Sequence, residues 1–220
     1  MSKAQLNKDL AQYVSSLPAE FKQISPARKF VLEQLAEYIF EQQRAGQPVL
    51  LTVICTHNSR RSHMGQLWAL VAAAWYGIAG VESFSGGTEA TAFHPNAVAA
   101  LQLAGFHISR ETQGENPEYS VRYSDDLPAV RVFSKRFDDA ANPAKGFAAI
   151  LVCSEADEAC PFVPGADVRI ALPFEDPKYA DGSPEEQQAY DTACRLIARE
   201  VFFVMEQAGK QLEGGRISGF

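Results

Sequence analysis

The chain has 220 residues, of which 46% are hydrophobic, and a formal net charge of −7 from 20 Lys and Arg against 27 Asp and Glu. This composition is typical of a globular protein and excludes disordered, collagen-like and membrane-spanning chains. The length allows one or two domains, and the acidic balance argues against nucleic-acid and anionic-membrane partners, which need a basic surface.

The cysteines and the first residues bear on the cellular compartment. Four cysteines are too few for a scaffold built on disulfides, and the polar residues 1–5 lack the apolar core of a secretion signal. We therefore expect a cytoplasmic protein whose thiols stay reduced unless its own chemistry oxidises them.

Residues 1–47 are predicted to form a helical extension. After Ser25, apolar side chains recur at helical spacing, at Phe30, Val31, Leu35, Ile39 and Phe40. This spacing predicts one amphipathic helix that ends near Gly46. We expect its apolar face to pack on the main domain, residues 48–220; a dimerisation face is the alternative.

The main domain alternates between strands and helices. Residues 49–54 are a continuous apolar run, typical of a central parallel strand that is buried on both faces. Further strands are predicted at 81–85, 147–152 and 168–172, and helices at 64–75, 95–104 and 183–207. The last helix begins with the capping box Ser183-Pro184-Glu185-Glu186. This alternation predicts an α/β three-layer sandwich on a mostly parallel four-stranded sheet.

One segment interrupts the alternation. Residues 119–133 alternate with period two on both sides of a turn, which predicts a β-hairpin within an insertion at 115–140. The basic side chains of this insertion either overhang the functional site and select a substrate, or decorate the surface; they are Arg122, Arg131, Lys135 and Arg136.

A cysteine begins the loop between the first strand and the next helix, in the run Cys55-Thr56-His57-Asn58-Ser59-Arg60-Arg61-Ser62. Ligands bind at the carboxyl ends of parallel strands, and N–H groups of such a loop and of the following helix converge on an oxyanion. Arg61 can add a bidentate clamp, and Ser62 can donate a hydrogen bond to Cys55. The positive surroundings favour a nucleophilic thiolate.

Carboxylates follow the last predicted strand, at Glu175 and Asp176. In a parallel sheet this segment opens at the same edge as the Cys55 loop. Attack on a tetrahedral oxyanion needs a proton for the departing oxygen, and a carboxylic acid about 3 Å away supplies it. Both residues are therefore candidates for a general acid.

Two more cysteines, Cys153 and Cys160, follow the predicted strand 147–152 at the same edge. They could form a disulfide if the residues between them depart from helical conformation. The alternatives are inert core thiols or a zinc site, and no metal is predicted because no further Cys or His lies at ligand spacing. Cys194, within the last helix, is expected only to pack.

The Cys55 run, a cysteine and five residues before Arg-Ser, is similar to the signature of the low-molecular-weight protein tyrosine phosphatase fold. Residues 153–161, 85–89, 94–97 and 176–177 resemble the thioredoxin-coupled arsenate reductases of that fold, and the resemblance covers roughly residues 49–208. It implies Cys55 as nucleophile, Asn58 as a loop-shaping residue, Ser62 as thiolate partner and Asp176 as acid. It also implies an oxyanion site formed by Thr56, His57, Asn58, Ser59, Arg60 and Arg61.

The same resemblance implies a redox sequence in which Cys153 resolves the arsenic adduct and Cys160 is exposed to thioredoxin. No cofactor is implied. Gln66 stands where some members have a carboxylate that helps to hold potassium, so that ion is not predicted. The loop also departs from the pattern, since His57 replaces a glycine and Arg60 replaces a frequent cysteine.

The sequence therefore predicts an enzyme that reduces arsenate to arsenite through a cysteine thiolate and a disulfide cascade regenerated by thioredoxin. The first alternative is a protein tyrosine phosphatase of the same fold, which would pass through a cysteinyl phosphate and would need no second thiol. The second alternative is a non-catalytic module that binds an oxyanion or senses redox state.

Overall fold

The structure is a computed structural model that describes residues 4–160 and 162–217. The described residues do not include 1–3, 161 and 218–220. The first of these ranges belongs to the predicted extension 1–47, and the others belong to the predicted main domain 48–220. The strands are β1 Val49–Cys55, β2 Val81–Gly87, β3 His107–Arg110, β4 Tyr119–Arg122, β5 Val130–Val132, β6 Phe147–Leu151 and β7 Ala166–Ala171. The α-helices are α1 Lys8–Ser15, α2 Pro26–Arg44, α3 Arg61–Tyr76, α4 Pro95–Leu103, α5 Ser154–Ala159 and α6 Glu186–Ile217, and short 3₁₀ helices cover Leu17–Gln23 and Pro177–Ala180.

A four-stranded sheet lies at the centre of the molecule. Its strand order is β2-β1-β6-β7, and each neighbouring pair is parallel. The predicted α/β fold with a mostly parallel sheet is confirmed. Every side chain of β1 except that of Leu50 is buried, as its continuous apolar run requires. The carboxyl ends of these strands share one edge, from which the Cys55 loop, Cys153 and the Asp176 segment all continue.

Helices α2, α3 and α6 pack on one face of this sheet. Leu35 of α2, Gly65 of α3 and Ile197 of α6 meet Val53 and Ile150 there. A Cβ atom at Gly65 would lie 2.8 Å from Cγ1 of Val53. The glycine therefore lets α3 approach β1 closely, and this approach sets the position at which α3 begins beside Cys55.

The helix predicted after Ser25 is confirmed as α2, and the extension before it contains two further helical segments that were not predicted individually. The whole extension consists of α1, the 3₁₀ helix Leu17–Gln23 and α2. The buried stripe of α2 is Leu32, Leu35, Ala36 and Ile39, with i, i+3, i+4 and i+7 spacing. Phe30 falls outside this stripe and is 66% exposed, so the expectation that it faces the core is wrong.

The last helix also differs from its predicted bounds of 183–207. Helix α6 begins at Glu186 and continues to Ile217. The Ser183 hydroxyl accepts from the N–H of Glu185 at 3.2 Å, and the Glu186 carboxylate accepts from the N–H of Gly182 at 2.7 Å. The side chains that were expected to cap the helix therefore close the turn before it, and the helix begins three residues later.

The insertion is a three-stranded antiparallel sheet with the order β3-β4-β5. Strands β4 and β5 pair as a hairpin, with Tyr119 opposite Val132. Strand β3 was not predicted because its four residues are polar or partly exposed and show no alternation. The sheet therefore begins before residue 115, the predicted start of the insertion. In the part of the chain that is described, no helix is long and apolar enough to cross a membrane.

Candidate active site

Cys55 ends β1 and is 4% exposed, at the entrance of a tight loop that leads into α3. Its Sγ lies 3.0 Å from the Ser62 hydroxyl. Asn58 donates a hydrogen bond from Nδ2 to the same hydroxyl oxygen at 2.8 Å. Because Ser62 accepts from Asn58, its own proton is free to point at the sulfur. Asn58 and Ser62 therefore direct a hydroxyl hydrogen-bond donor to the sulfur of the predicted nucleophile.

Backbone conformation and close contacts shape this loop. Asn58 has φ of 44°, in the left-handed region, and its Oδ1 accepts from the backbone N–H of Lys135 at 2.8 Å. A Cβ atom at Gly87, the residue paired with Cys55, would lie 2.6 Å from the Thr56 carbonyl oxygen and 2.7 Å from the Asn58 nitrogen. The end of β2 thus supports the loop at a distance that only glycine allows.

Arg61 and Asp176 form a buried ion pair at the same sheet edge. The Nη2 atom of Arg61 lies 2.5 Å from Oδ2 of Asp176, and both side chains are less than a tenth exposed. Nη1 of Arg61 donates to the carbonyl oxygen of Phe174 at 2.8 Å. Glu175 faces solvent. Of the two acid candidates, Asp176 is therefore the one beside the loop.

Not all side chains of the predicted oxyanion site face one point. Arg60 donates from Nε to the Tyr190 hydroxyl at 2.7 Å and lies 3.2 Å from Asp181, so its guanidinium is engaged outside the loop. The Arg60 guanidinium therefore lies outside the predicted oxyanion site, in which the backbone N–H of Arg60 remains the predicted donor. The His57 side chain is 42% exposed, and its Nε2 lies 3.9 Å from the Glu89 carboxylate. The His57 side chain therefore lies partly in solvent, beside Glu89.

The remaining loop residues, Thr56 and Ser59, have separate surroundings. The carbonyl oxygen of Ser59 accepts from the N–H of His94, the residue that caps α4, at 2.9 Å. The Thr56 hydroxyl lies 3.4 Å from Sγ of Cys153. Thr56 follows Cys55 directly, so the second thiol lies immediately beside the loop that holds the first.

Cys153 and Cys160 lie at the two ends of α5. Cys153 is fully buried and its Sγ accepts from the N–H of Ala156, which caps the helix. Cys160 is 7% exposed, and its burial raises the pKa of its thiol. In this reduced form the Cys160 thiol is buried, so its exposure to thioredoxin after disulfide exchange stays a prediction. All four cysteines are free thiols.

Cys194 and Gln66 lie away from this edge. Cys194 accepts a hydrogen bond from Trp68 in the core, and burial raises its pKa to about 12, as expected for a packing residue. Gln66 donates to the carbonyl oxygen of Ser83 at 3.1 Å. Among the described residues, no group of three or more His, Cys, Asp or Glu side chains is arranged to hold a metal ion.

Asp181 and Tyr190, the partners of Arg60, were not predicted from the sequence. Tyr190 is 1% exposed although it carries a hydroxyl. In the sequence Tyr190 is only a tyrosine on the apolar face of a predicted helix. That position does not indicate that its hydroxyl forms a hydrogen bond with Arg60.

The chain is similar to bacterial arsenate reductases. It is 30% identical to that of Bacillus licheniformis over 139 residues, which cover 62% of this chain and 80% of the relative. It is 31% identical to that of Brevibacillus brevis over 140 residues, which cover 63% and 83%. No protein-family model matches the chain.

Solved structures of related shape include a low-molecular-weight protein tyrosine phosphatase from T. tengcongensis, with a TM-score of 0.48 and 18% identity over 72% of this chain and 98% of that chain. Another is the thioredoxin-dependent arsenate reductase of Corynebacterium glutamicum, with a TM-score of 0.41 and 21% identity over 90% and 81%. Since the sequence similarity spans at least 80% of each of the two relatives at 30% identity or more, this chain belongs to the arsenate reductase family.

Proposed function

We propose that this protein reduces arsenate to arsenite with Cys55, Cys153 and Cys160, and that thioredoxin restores the thiols. The observation that carries the proposal is the 3.4 Å contact between the Thr56 hydroxyl and Sγ of Cys153, which brings a second thiol beside the nucleophile's loop. A phosphatase has no use for a thiol at that point. Similarity to bacterial arsenate reductases supports the same chemistry.

In the first step the Cys55 thiolate attacks arsenic. A sulfur–arsenic bond forms, an arsenic–oxygen bond breaks, and the departing oxygen leaves as water once it receives a proton from Asp176. The Ser62 hydroxyl directs its proton at the sulfur that attacks. Arg61 holds two arsenate oxygens when its guanidinium turns from Asp176 to the loop.

In the second step Cys153 attacks the sulfur of Cys55 as a thiolate. A disulfide forms, the sulfur–arsenic bond breaks, and its electron pair stays on arsenic, which leaves as arsenite in the lower oxidation state. Cys153 is buried, so water does not compete readily for this position. Two cysteine sulfurs thus supply the two electrons that reduce arsenic.

In the third step Cys160 attacks Cys153, which releases the Cys55 thiol and moves the disulfide to the 153–160 pair. Seven residues of α-helix span about 10 Å, whereas a disulfide joins Cα atoms about 6 Å apart. Helix α5 must therefore unwind for this step. It has only six residues, and Cys153 itself caps it, so attack by Cys160 removes the cap. Thioredoxin then returns two electrons and two protons.

The test is oxidation of NADPH in the presence of arsenate, thioredoxin and thioredoxin reductase. We expect arsenate-dependent oxidation that Cys55→Ser, Cys153→Ser and Cys160→Ser each abolish. Cys194→Ser is the matched control, because this buried thiol has no part in the sequence. In the Cys160→Ser variant, mass spectrometry is expected to find a disulfide between Cys55 and Cys153.

Hydrolysis of an aryl phosphate, measured beside this assay, distinguishes the phosphatase alternative. Full hydrolysis by Cys153→Ser, with no arsenate-dependent oxidation by the unmodified protein, would overturn the reductase proposal. Binding of arsenate without either activity would identify an oxyanion-binding module instead.

A further inference from the structure

Arg60 connects the anion loop to the segment that carries Asp176. Its Nε donates to the Tyr190 hydroxyl at 2.7 Å and its Nη2 donates to Asp181 Oδ2 at 3.2 Å. The Tyr190 hydroxyl donates in turn to the other oxygen of Asp181, Oδ1, at 2.8 Å. Each of these three side chains therefore contacts the other two. We refer to Arg60, Asp181 and Tyr190 as the Arg60 cluster.

The members of the cluster come from three separate elements. Arg60 precedes α3, Asp181 follows the 3₁₀ helix that begins after Asp176, and Tyr190 lies on α6. The ring of His94 stacks on Tyr190 with 5.4 Å between ring centroids and 16° between planes. The backbone of His94 also donates to Ser59. The cluster thus joins the loop, the acid segment and two helices.

Burial keeps the cluster in one charge state near neutral pH. It raises the pKa of Tyr190 to about 12, so the hydroxyl keeps the proton that it donates to Asp181. It lowers the pKa of His94, and the nearby Arg60 charge lowers it further. A neutral imidazole therefore lies against Tyr190 and adds no positive charge beside Arg60. The guanidinium itself stays charged throughout.

Arg61 is expected to leave Asp176 when it binds an oxyanion, so the loop and the acid segment need a second connection. At rest Arg61 links the loop to the acid segment through Asp176. When Arg61 turns to an oxyanion, that link is lost at the moment when Asp176 must deliver its proton. Among the described side-chain contacts, the ion pair of Arg60 with Asp181 then remains between the two segments. An acid displaced by about 1 Å can lower a rate about 100-fold.

We propose that Arg60 is a positioning residue that acts through Asp181 and Tyr190 to hold the Asp176 segment over the anion loop during turnover. This inference rests on the proposed function for the identity of the reaction. It adds to the role that the sequence implied for Arg60, since the guanidinium acts on the acid and does not hold the oxyanion.

The test compares Arg60→Gln, Asp181→Asn and Tyr190→Phe in the full chain. Tyr190→Phe retains the ring that stacks on His94 and removes only the hydroxyl. Each variant is expected to lower kcat for arsenate reduction about 10- to 100-fold and to change KM less than twofold. The double variant Arg60→Gln with Asp181→Asn is expected to be no slower than the slower single variant. The control is Arg44→Gln, which breaks the exposed ion pair of α2 with Glu41.

Two further measurements do not depend on arsenate reduction. Calorimetric titration with inorganic phosphate is expected to give the same Kd for Arg60→Gln as for the unmodified protein. Amide hydrogen exchange is expected to show faster exchange at Asp181, whose N–H donates to Lys178, in all three variants. If the unmodified protein reduces no arsenate, the proposed function fails while these measurements still test the cluster.

Other outcomes would overturn the inference. Phosphate binding weakened tenfold or more by Arg60→Gln, but not by Asp181→Asn, would show that Arg60 binds the oxyanion. Unchanged amide exchange at Asp181 in all three variants would show that the cluster does not hold the segment.

Discussion

The guanidinium of Arg61 lies 2.5 Å from the carboxylate of Asp176, so the side chain expected to hold an oxyanion is paired with the side chain expected to act as acid. Both are buried, and the Arg61 Nη2 group that contacts the carboxylate is not available to an oxyanion while the pair is closed. Binding of an oxyanion by Arg61 therefore requires the pair to open. Opening of the pair couples the release of Asp176 from Arg61 to the presence of substrate.

Asp176→Asn separates binding from turnover. The amide carries no charge and does not compete with the oxyanion for Arg61, so we expect phosphate to bind more tightly than it binds to the unmodified protein. Loss of the acid should lower arsenate reduction about 100-fold or more. Calorimetry and the coupled NADPH assay measure the two effects. The control is Glu175→Gln, which changes an exposed neighbour; weaker phosphate binding by Asp176→Asn would contradict the competition between carboxylate and oxyanion.

Ser62→Ala removes the hydroxyl that lies 3.0 Å from the sulfur of Cys55. A hydrogen bond to a charged group contributes about 1.5–3 kcal/mol, and the variant loses this contribution when Cys55 reacts as a thiolate. We expect iodoacetamide to alkylate Cys55 about 10-fold more slowly at neutral pH, as followed by mass spectrometry. Ser109→Ala, an exposed serine of β3, serves as control. An unchanged alkylation rate would mean that the Ser62 proton does not stabilise the sulfur.

Gly87→Ala introduces a methyl group 2.2 Å from the Glu89 carbonyl oxygen and 2.6 Å from that of Thr56. The loop must shift to admit it, and overpacking of this kind lowers the free energy of unfolding by about 1–3 kcal/mol. We expect phosphate binding to be lost at temperatures where circular dichroism shows a folded protein. Gly209→Ala on α6, where a Cβ meets open space, is expected to leave binding unchanged. Normal phosphate binding by Gly87→Ala would show that the loop tolerates the shift.

Lys135→Met changes how stability depends on pH. Lys135 is 5% exposed, and burial lowers its pKa to about 8, below the value near 10.4 of an unfolded chain. Between these values the unfolded state binds the extra proton, so the free energy of unfolding rises with pH. The unmodified protein should therefore gain up to about 3 kcal/mol, relative to Lys135→Met, between about pH 7 and about pH 10. Urea unfolding at both pH values measures this difference.

Lys145→Met, which removes an exposed lysine, is the control for that comparison and should follow the unmodified protein. The same pH dependence in Lys135→Met and the unmodified protein would show that the Lys135 ammonium is not penalised by burial.

Local features of the site were accessible from the sequence. Cys55 and Ser62 are seven residues apart on one strand-to-helix junction, so their contact follows from the loop that joins a buried strand to a helix. Asp176 and Cys153 follow other strands, and the parallel arrangement brings all strand ends to one edge. The order of the strands, β2-β1-β6-β7, and their register were not predicted, because the alternation of strands and helices indicates a parallel sheet but leaves its order open.

The orientation of side chains in the site could not be predicted from the sequence. Two adjacent arginines stand in the loop, and only tertiary structure decides that Arg61 lies against Asp176 while Arg60 turns away. The partners of Arg60 lie 121 and 130 residues further along the chain. The burial of Cys160 could not be predicted either, because a six-residue helix of small and acidic residues does not indicate which of its ends faces the core.

Trp68 is fully buried, and the ring of Tyr13 in α1 stacks on it at 5.6 Å with 18° between ring planes. Phe106 and Phe202 meet the same indole edge-on from other directions. Tyr13 of α1 thus completes an aromatic enclosure whose other rings, Phe106 and Phe202, come from later parts of the chain. A chain that began at residue 48 would lack Tyr13 and would expose this indole to water. The fluorescence emission of Trp68 would then move to longer wavelength.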